Sequence, residues 1–125
     1  MEKEKKKILI VEDEKPLAHA LELKLTFEGF DVKSVSNGEE AAVLLEKEIF
    51  SLVICDLVMP KMDGFQLLQF IKDKKINLPV IVLSNLSQNE DEKRARELGA
   101  SDFFIKSNIP ISDVVNNIKT KILNQ

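Results

Sequence analysis

Five short apolar runs at nearly even spacing constrain this chain more than any other feature. They fall at residues 8–11 (ILIV), 32–35 (VKSV), 52–55 (LVIC), 80–83 (VIVL) and 103–105 (FFI). Four are close to continuous in apolar residues and β-branched side chains dominate them. That pattern belongs to strands covered on both faces, as in a parallel sheet, and not to half-exposed strands that alternate. The second run alternates more and therefore reads as an edge strand.

Helical periodicity fills the intervals. Pro16 stands at a favoured first-turn position, Leu17, Leu21 and Leu25 follow at i, i+4 spacing, and Gly29 closes the segment. Asn37-Gly38 opens a second helix with Ala41, Leu44 and Leu45 on one stripe, and Asp63-Gly64 a third with Phe65, Leu68 and Ile71. In the fourth, Ser87 and Glu90 match a capping box and Gly99 marks the stop, but only Ala95 and Leu98 offer a core face. This helix is expected to be the most mobile element. Pro110 opens the last, whose stripe is Ile111, Val114, Val115, Ile118 and Ile122. Strand and helix alternate five times, and right-handed crossovers turn that order into a doubly wound α/β sheet of five parallel strands. Ligands of such sheets sit at the carboxyl ends of the strands.

Composition narrows the setting. A length of 125 residues fits one domain at ~100–200 residues per domain. The 44% hydrophobic and 31% charged residues are ordinary for a globular fold. The net charge of −3 offers no global field for nucleic acid, and no apolar stretch is long enough for a signal peptide or a membrane span. One Cys and one His exclude a disulfide framework and a zinc cluster. A cytoplasmic protein without membrane or nucleic-acid contacts is expected; Cys55 reads as a buried thiol and His19 as a surface residue.

The carboxyl ends of the runs carry a specific inventory: Glu12-Asp13 after the first, Asp56 after the third, Ser84 after the fourth and Lys106 after the fifth. Three carboxylates crowded into one pocket repel unless a cation joins them, and a hard cation with oxygen ligands, Mg²⁺, suits that set. A lysine and a hydroxyl converging on the same aspartate complete what phosphoryl transfer to a carboxylate requires, with Asp56 as nucleophile. Taken singly, Ser84 reads as a turn residue, Lys106 as a solvated cation, and Glu12-Asp13 as the acidic first turn of a helix. Asp56 resists this, because an unpaired carboxylate directly after LVIC costs free energy.

These residues resemble the receiver domain of bacterial two-component response regulators through ILIVEDE, LVICDLVMPKMDG, VIVLS and RARELGASDFFIK. The resemblance spans nearly the whole chain, taken as one receiver domain over residues 1–125 with a flexible basic segment at 1–6. It implies the flavodoxin-like strand order 2-1-3-4-5, Asp56 as phosphoacceptor, and Mg²⁺ held by Glu12, Asp13, Asp56 and the main-chain carbonyl of Val58. It further implies Ser84 as the switch hydroxyl, Lys106 as the phosphate-pairing cation and Phe104 as the aromatic switch. The implied partners are a histidine kinase or phosphotransfer protein and a downstream protein target. The target would be reached through the face of the fourth helix, fifth strand and fifth helix, by a monomer or a phosphorylation-dependent dimer.

Four residues depart from the family's habit or modulate it. Ser107 stands where a proline usually follows the lysine, so a cis bond there would be costly. Asn85 is larger than the family prefers, and Val58 and Leu86 are apolar beside the phosphoryl site. Rival readings are weaker. An aspartate-nucleophile phosphatase of the haloacid-dehalogenase type needs an acid where Val58 stands. A flavodoxin needs a phosphate loop where Glu12-Asp13-Glu14 would repel the ligand. A degenerate receiver that acts without phosphate is the remaining alternative. The expected activity is confined to the protein's own phosphorylation and slow dephosphorylation, so it is not an enzyme in the usual sense.

Overall fold

The computed structural model describes residues 5–86 and 88–123. The strands are β1 (Lys7–Val11), β2 (Asp31–Val35), β3 (Leu52–Cys55), β4 (Val80–Ser84) and β5 (Asp102–Ile105). The helices are α1 (Lys15–Phe27), α2 (Gly38–Lys47), α3 (Gly64–Asp73), α4 (Asn89–Glu97) and α5 (Ile111–Leu123). All pairings are parallel, in the order β2-β1-β3-β4-β5. The alternating second run is an edge strand, as its pattern requires, with no buried residue.

Successive strand residues face opposite sides, so each apolar run supplies two half-cores. Leu9, Val11, Val53, Cys55, Val80, Val82 and Phe103 pack beneath α2, α3 and α4. Ile8, Ile10, Leu52, Ile54, Ile81 and Leu83 pack beneath α1 and α5, with Leu21, Leu25, Val114, Val115 and Ile118. Phe103 and Phe104 accordingly part company: the first is buried among the α2–α4 side, the second half-buried against the α5 side. Only Ala95 of α4 is buried, in line with its poor apolar stripe.

Helix entries follow local chemistry. Asn37 caps α2 by accepting from the Glu40 N–H at 2.9 Å. Asp63 and Gln66 form a reciprocal capping box on α3. The capping box read at Ser87 lies outside the described residues; α4 starts behind Gln88, whose side chain makes no cap. After β5 the chain makes a 3-10 turn, Lys106–Asn108, that no periodicity announced. No described peptide bond is cis, the one between Lys106 and Ser107 included. Residues 1–4 of the basic segment lie outside the described residues. Lys5 and Lys6 are exposed, yet the Lys6 carbonyl already accepts from the Asp31 N–H at 2.9 Å. None of the helices among the described residues is long and apolar enough to cross a membrane.

Candidate acidic site at the strand ends

Parallel register assembles this site before any side chain is considered. Val11 is level with Cys55 in the β1–β3 pair, so Glu12 and Asp56 leave neighbouring strands at the same height. Ser84 is level with Ile105 in the β4–β5 pair, which puts Lys106 just beyond it. Main-chain bonds hold these ends in place: the Asp56 N–H donates to Val11 O at 3.0 Å and the Glu12 N–H to Val35 O at 3.0 Å.

The loop after Asp56 is fixed by two close approaches. The Gly64 N–H donates to Leu57 O at 3.0 Å, and a Cβ on Gly64 would lie 2.3 Å from Asp56 O and 2.7 Å from Leu57 Cα. Gly38 donates likewise to Met62 O at 3.0 Å, and a Cβ there would meet that oxygen at 2.4 Å. Both positions need glycine because backbone occupies the space. The α2 and α3 entries therefore grip residues 57–63 from two sides and set the Asp56 carboxylate.

Asp56 is buried with both carboxylate oxygens engaged. Its Oδ1 accepts from the Leu57 N–H at 2.7 Å and, more weakly, from that of Val58 at 3.4 Å. Its Oδ2 faces Lys106 Nζ at 3.0 Å. The same ammonium reaches Glu12, with Oε1 at 2.9 Å and Oε2 at 3.1 Å, and also donates to Glu14 Oε2. One lysine thus serves three carboxylates. Burial pushes the Glu12 carboxyl above the ordinary carboxylate range; Lys106 and the Glu14 N–H pull it back, and Asp56 pushes the same way as burial. Burial works against the Lys106 charge, but its bonds to Glu14, Glu12 and Asp56 win and keep the ammonium protonated beyond its usual range.

Glu12, Asp13 and Asp56 offer one oxygen each, all within 4.8 Å of one another. An octahedral ion with oxygen ligands at about 2.0–2.1 Å spans about 4.2 Å between opposite ligands, so this triangle closes on a small divalent cation with modest movement. The chemistry agrees, since buried carboxylates outnumber the lysine that neutralises them. The Val58 carbonyl accepts no hydrogen bond among the described residues and is free to serve as a further oxygen donor. The cleft above, about 280 Å³, is lined by Asp13, Glu14, Asp56, Val58, Asn85 and Lys106.

Ser84 is fully buried, its Oγ accepting from the Leu86 N–H at 3.2 Å. The Val58 side chain is exposed at the cleft rim, and so is that of Asn85. Leu86 is half-buried and packs on the α2–α4 side of the core. Ser107 is exposed in the 3-10 turn, with its hydroxyl 3.4 Å from Asn108 Oδ1. Burial pushes the Cys55 thiol far up, and Asp56, Glu12 and Asp63 add to it, so the thiol is inert. His19 is exposed on α1.

Strand-end position and residue type found Glu12, Asp13, Asp56, Ser84 and Lys106, and the fold brings them to one end of the sheet. The third arm of the lysine's pairing, Glu14, was not singled out as a partner, although it ends the acidic triplet of the same loop. The Leu57 N–H was also missed, because main-chain donors carry no sequence signal.

A five-stranded parallel sheet with a buried aspartate, an acidic triangle and a lysine at its carboxyl edge defines a doubly wound α/β domain with a carboxylate-centred site. Residues 8–119 match the response regulator receiver domain, and the chain belongs to that family. It is 42% identical over 106 residues to the probable transcriptional regulator ycf27 of Porphyra purpurea, covering 85% of this chain and 43% of that protein. It is 34% identical over 118 residues to the alkaline phosphatase synthesis transcriptional regulatory protein PhoP of Bacillus subtilis (strain 168), covering 94% and 48%. The chain thus spans less than half the length of these curated relatives. Among solved structures, the Francisella response regulator 1452 receiver domain superposes with a TM-score of 0.89 at 27% identity, covering 95% of this chain and 98% of that one. A CheY-like receiver domain protein from Methanospirillum hungatei JF-1 gives 0.90 at 26%, covering 97% and 96%.

Proposed function

We propose that this chain is a phosphorylation-dependent signalling switch that accepts a phosphoryl group on Asp56. The observation that carries the reading is the buried Asp56 carboxylate facing Lys106 Nζ at 3.0 Å beside the acidic triangle of Glu12 and Asp13. Mg²⁺ is the cation proposed for that triangle, with the Val58 carbonyl as a further ligand; when bound it would neutralise charge on the transferring group. A carboxylate oxygen of Asp56 forms the new bond to phosphorus while the bond from phosphorus to the donor breaks, and the donor departs with that electron pair. Lys106 pairs with an oxygen of the arriving group, and the buried Ser84 hydroxyl gives up the Leu86 N–H to turn toward it.

Donors of the right chemistry are a phosphohistidine on a kinase or phosphotransfer protein, or a small acyl phosphate. The chain catalyses only its own phosphorylation and slow dephosphorylation. Phe104, half-buried on the α5 side of the core, is the side chain we read as following Ser84 and altering the α4–β5–α5 face, through which a protein target or a second copy would be engaged. Its relatives are named transcriptional regulators. We therefore confine the expected lack of nucleic-acid contact to the receiver itself, and read a cytoplasmic setting from the donor chemistry.

Intact mass after incubation with Mg²⁺ and acetyl phosphate tests the reading. One added phosphoryl group, acid-stable and base-labile and absent in Asp56→Asn, is expected. No gain from acetyl phosphate or a cognate kinase would leave a receiver that works without phosphate.

A further inference from the structure

The pairing of Lys106 with three carboxylates has a consequence for how the site is entered. An ammonium has three N–H donors, and Glu12, Asp56 and Glu14 together meet all of them. An arriving phosphoryl oxygen can be received only by displacing one. The three are not equally free to leave. The side chains of Glu12, Asp56 and Lys106 itself are 3%, 6% and 9% exposed, whereas that of Glu14 is 52% exposed. Glu12 is further tied by the Glu14 N–H at 3.0 Å, and Asp56 by the Leu57 N–H at 2.7 Å.

Glu14 also occupies an unusual place for such a contact. It is the N-cap residue of α1, yet its side chain makes no cap bond. Its carboxylate instead reaches over to Lys106, 92 residues away in sequence, and it lines the same cleft as Asp56, Val58 and Asn85. The contact with a buried lysine in the cleft separates this residue from a solvated glutamate at a helix start.

We propose that Glu14 is a displaceable counter-charge: it holds Lys106 in the unphosphorylated protein, swings to solvent when a phosphoryl group arrives, and thereby sets how readily anionic donors are accepted. The inference rests on Asp56 being the phosphoacceptor. Glu14 exchanges no proton and forms no covalent bond. It acts as a positioning residue, competing for the lysine and repelling the donor. Both effects oppose the more highly charged donor more strongly, so Glu14 favours donors whose charge is delivered shielded, as on a docked protein, over small free anions.

The test uses the full chain with Mg²⁺ and two donors, acetyl phosphate and the less negatively charged phosphoramidate. Initial phosphorylation rates are measured by intact mass for the parent, Glu14→Gln and Glu14→Asp. Removing one partly screened charge beside the site is expected to raise the acetyl phosphate rate roughly three- to tenfold at low salt, with a smaller gain for phosphoramidate. The gain shrinks as salt is added. Glu14→Asp, which keeps the charge, stays within about twofold of the parent. Nuclear magnetic resonance of the Lys106 ammonium supplies a readout independent of turnover: its exchange with water quickens in Glu14→Gln. Equal rates for parent and Glu14→Gln with both donors at low salt, in a protein whose phosphorylation is abolished by Asp56→Asn, would overturn the role of Glu14 and leave the phosphoacceptor standing. A parent and a Glu14→Gln variant that neither small donor nor a cognate kinase phosphorylates would overturn both.

Discussion

At the scale of single residues, Val58 would serve the proposed switch in two roles, through different atoms. Its carbonyl is free to face a cation, while its side chain is 59% exposed on the rim of the cleft that Asp56 and Lys106 line. If Asp56 carries a phosphoryl group, a branched apolar side chain there would exclude water from one side of it and offer no hydrogen bond to guide water in. Val58→Ala keeps the main-chain ligand and removes the obstruction. Phosphate release from the phosphorylated variant is expected to be roughly two- to fivefold faster, a barrier change below about 1 kcal/mol; unchanged decay would assign the lifetime to other groups. Residues of this kind were legible because a strand end fixes where a side chain emerges. Asp56 follows four buried positions, so its carboxylate had to have a charged partner. Glu14 was hidden for the opposite reason. An acid just before Pro16 reads as part of a helix start, and only the return of the chain through Lys106 shows where it points.

Among the elements, three helices end in the same way. Behind α1, α3 and α4 the chain turns through a left-handed residue whose N–H bonds back three residues, while the next N–H bonds back five: Phe30 to Leu25, Ile76 to Ile71 and Ala100 to Ala95, at 3.1, 3.1 and 3.0 Å. The turning residue is Gly29 in the first case and Gly99 in the third, but Lys75 in the second, with φ 56°. A side chain at that angle crowds the following carbonyl at a cost of about 1 kcal/mol, which glycine avoids. Lys75 is exposed and forms no ion pair among the described residues. Lys75→Gly is therefore expected to raise stability by ~0.5–1 kcal/mol in urea unfolding, with the site untouched. A loss of stability would mean that the gain in unfolded-chain entropy outweighs the relieved strain. Glycine stops made α1 and α4 easy to delimit in the sequence, and the apolar stripe did the same for α5. The 3-10 turn behind β5 was not legible, because three residues with no buried side chain leave no period to read. The order of strands was not legible either. Continuous apolar runs specify a buried parallel sheet, but neighbours depend on which way each crossover turns, and that came from resemblance alone.

For the molecule as a whole, the two ends of the sheet carry clusters of opposite sign. The carboxyl end gathers Glu12, Asp13, Glu14 and Asp56 about a single lysine, while the opposite end gathers Lys5, Lys6, Lys7 and Lys47 about Glu48. A net charge of −3 conceals this separation, which is why composition spoke to partners and not to the site. Glu48 is to the basic end what Lys106 is to the acidic one. Standing at the end of α2, it accepts from Lys33 of the edge strand at 2.8 Å and from Lys7 of β1. Lys33 and then Lys7 hold its carboxyl below the ordinary value of 4.5. A carboxyl depressed in the folded state contributes stability that is present above the unfolded value and is lost as pH falls through the folded one. Glu48→Gln should therefore unfold at lower urea than the parent at pH 7, by a margin that salt reduces. As pH falls below 4.5 and on through the lower folded-state value, that margin should shrink toward nothing as the parent's own Glu48 takes up a proton. A margin that persists unchanged in acid would show that Glu48 steadies the β1–β2 edge through packing and hydrogen bonding, with its charge playing no part.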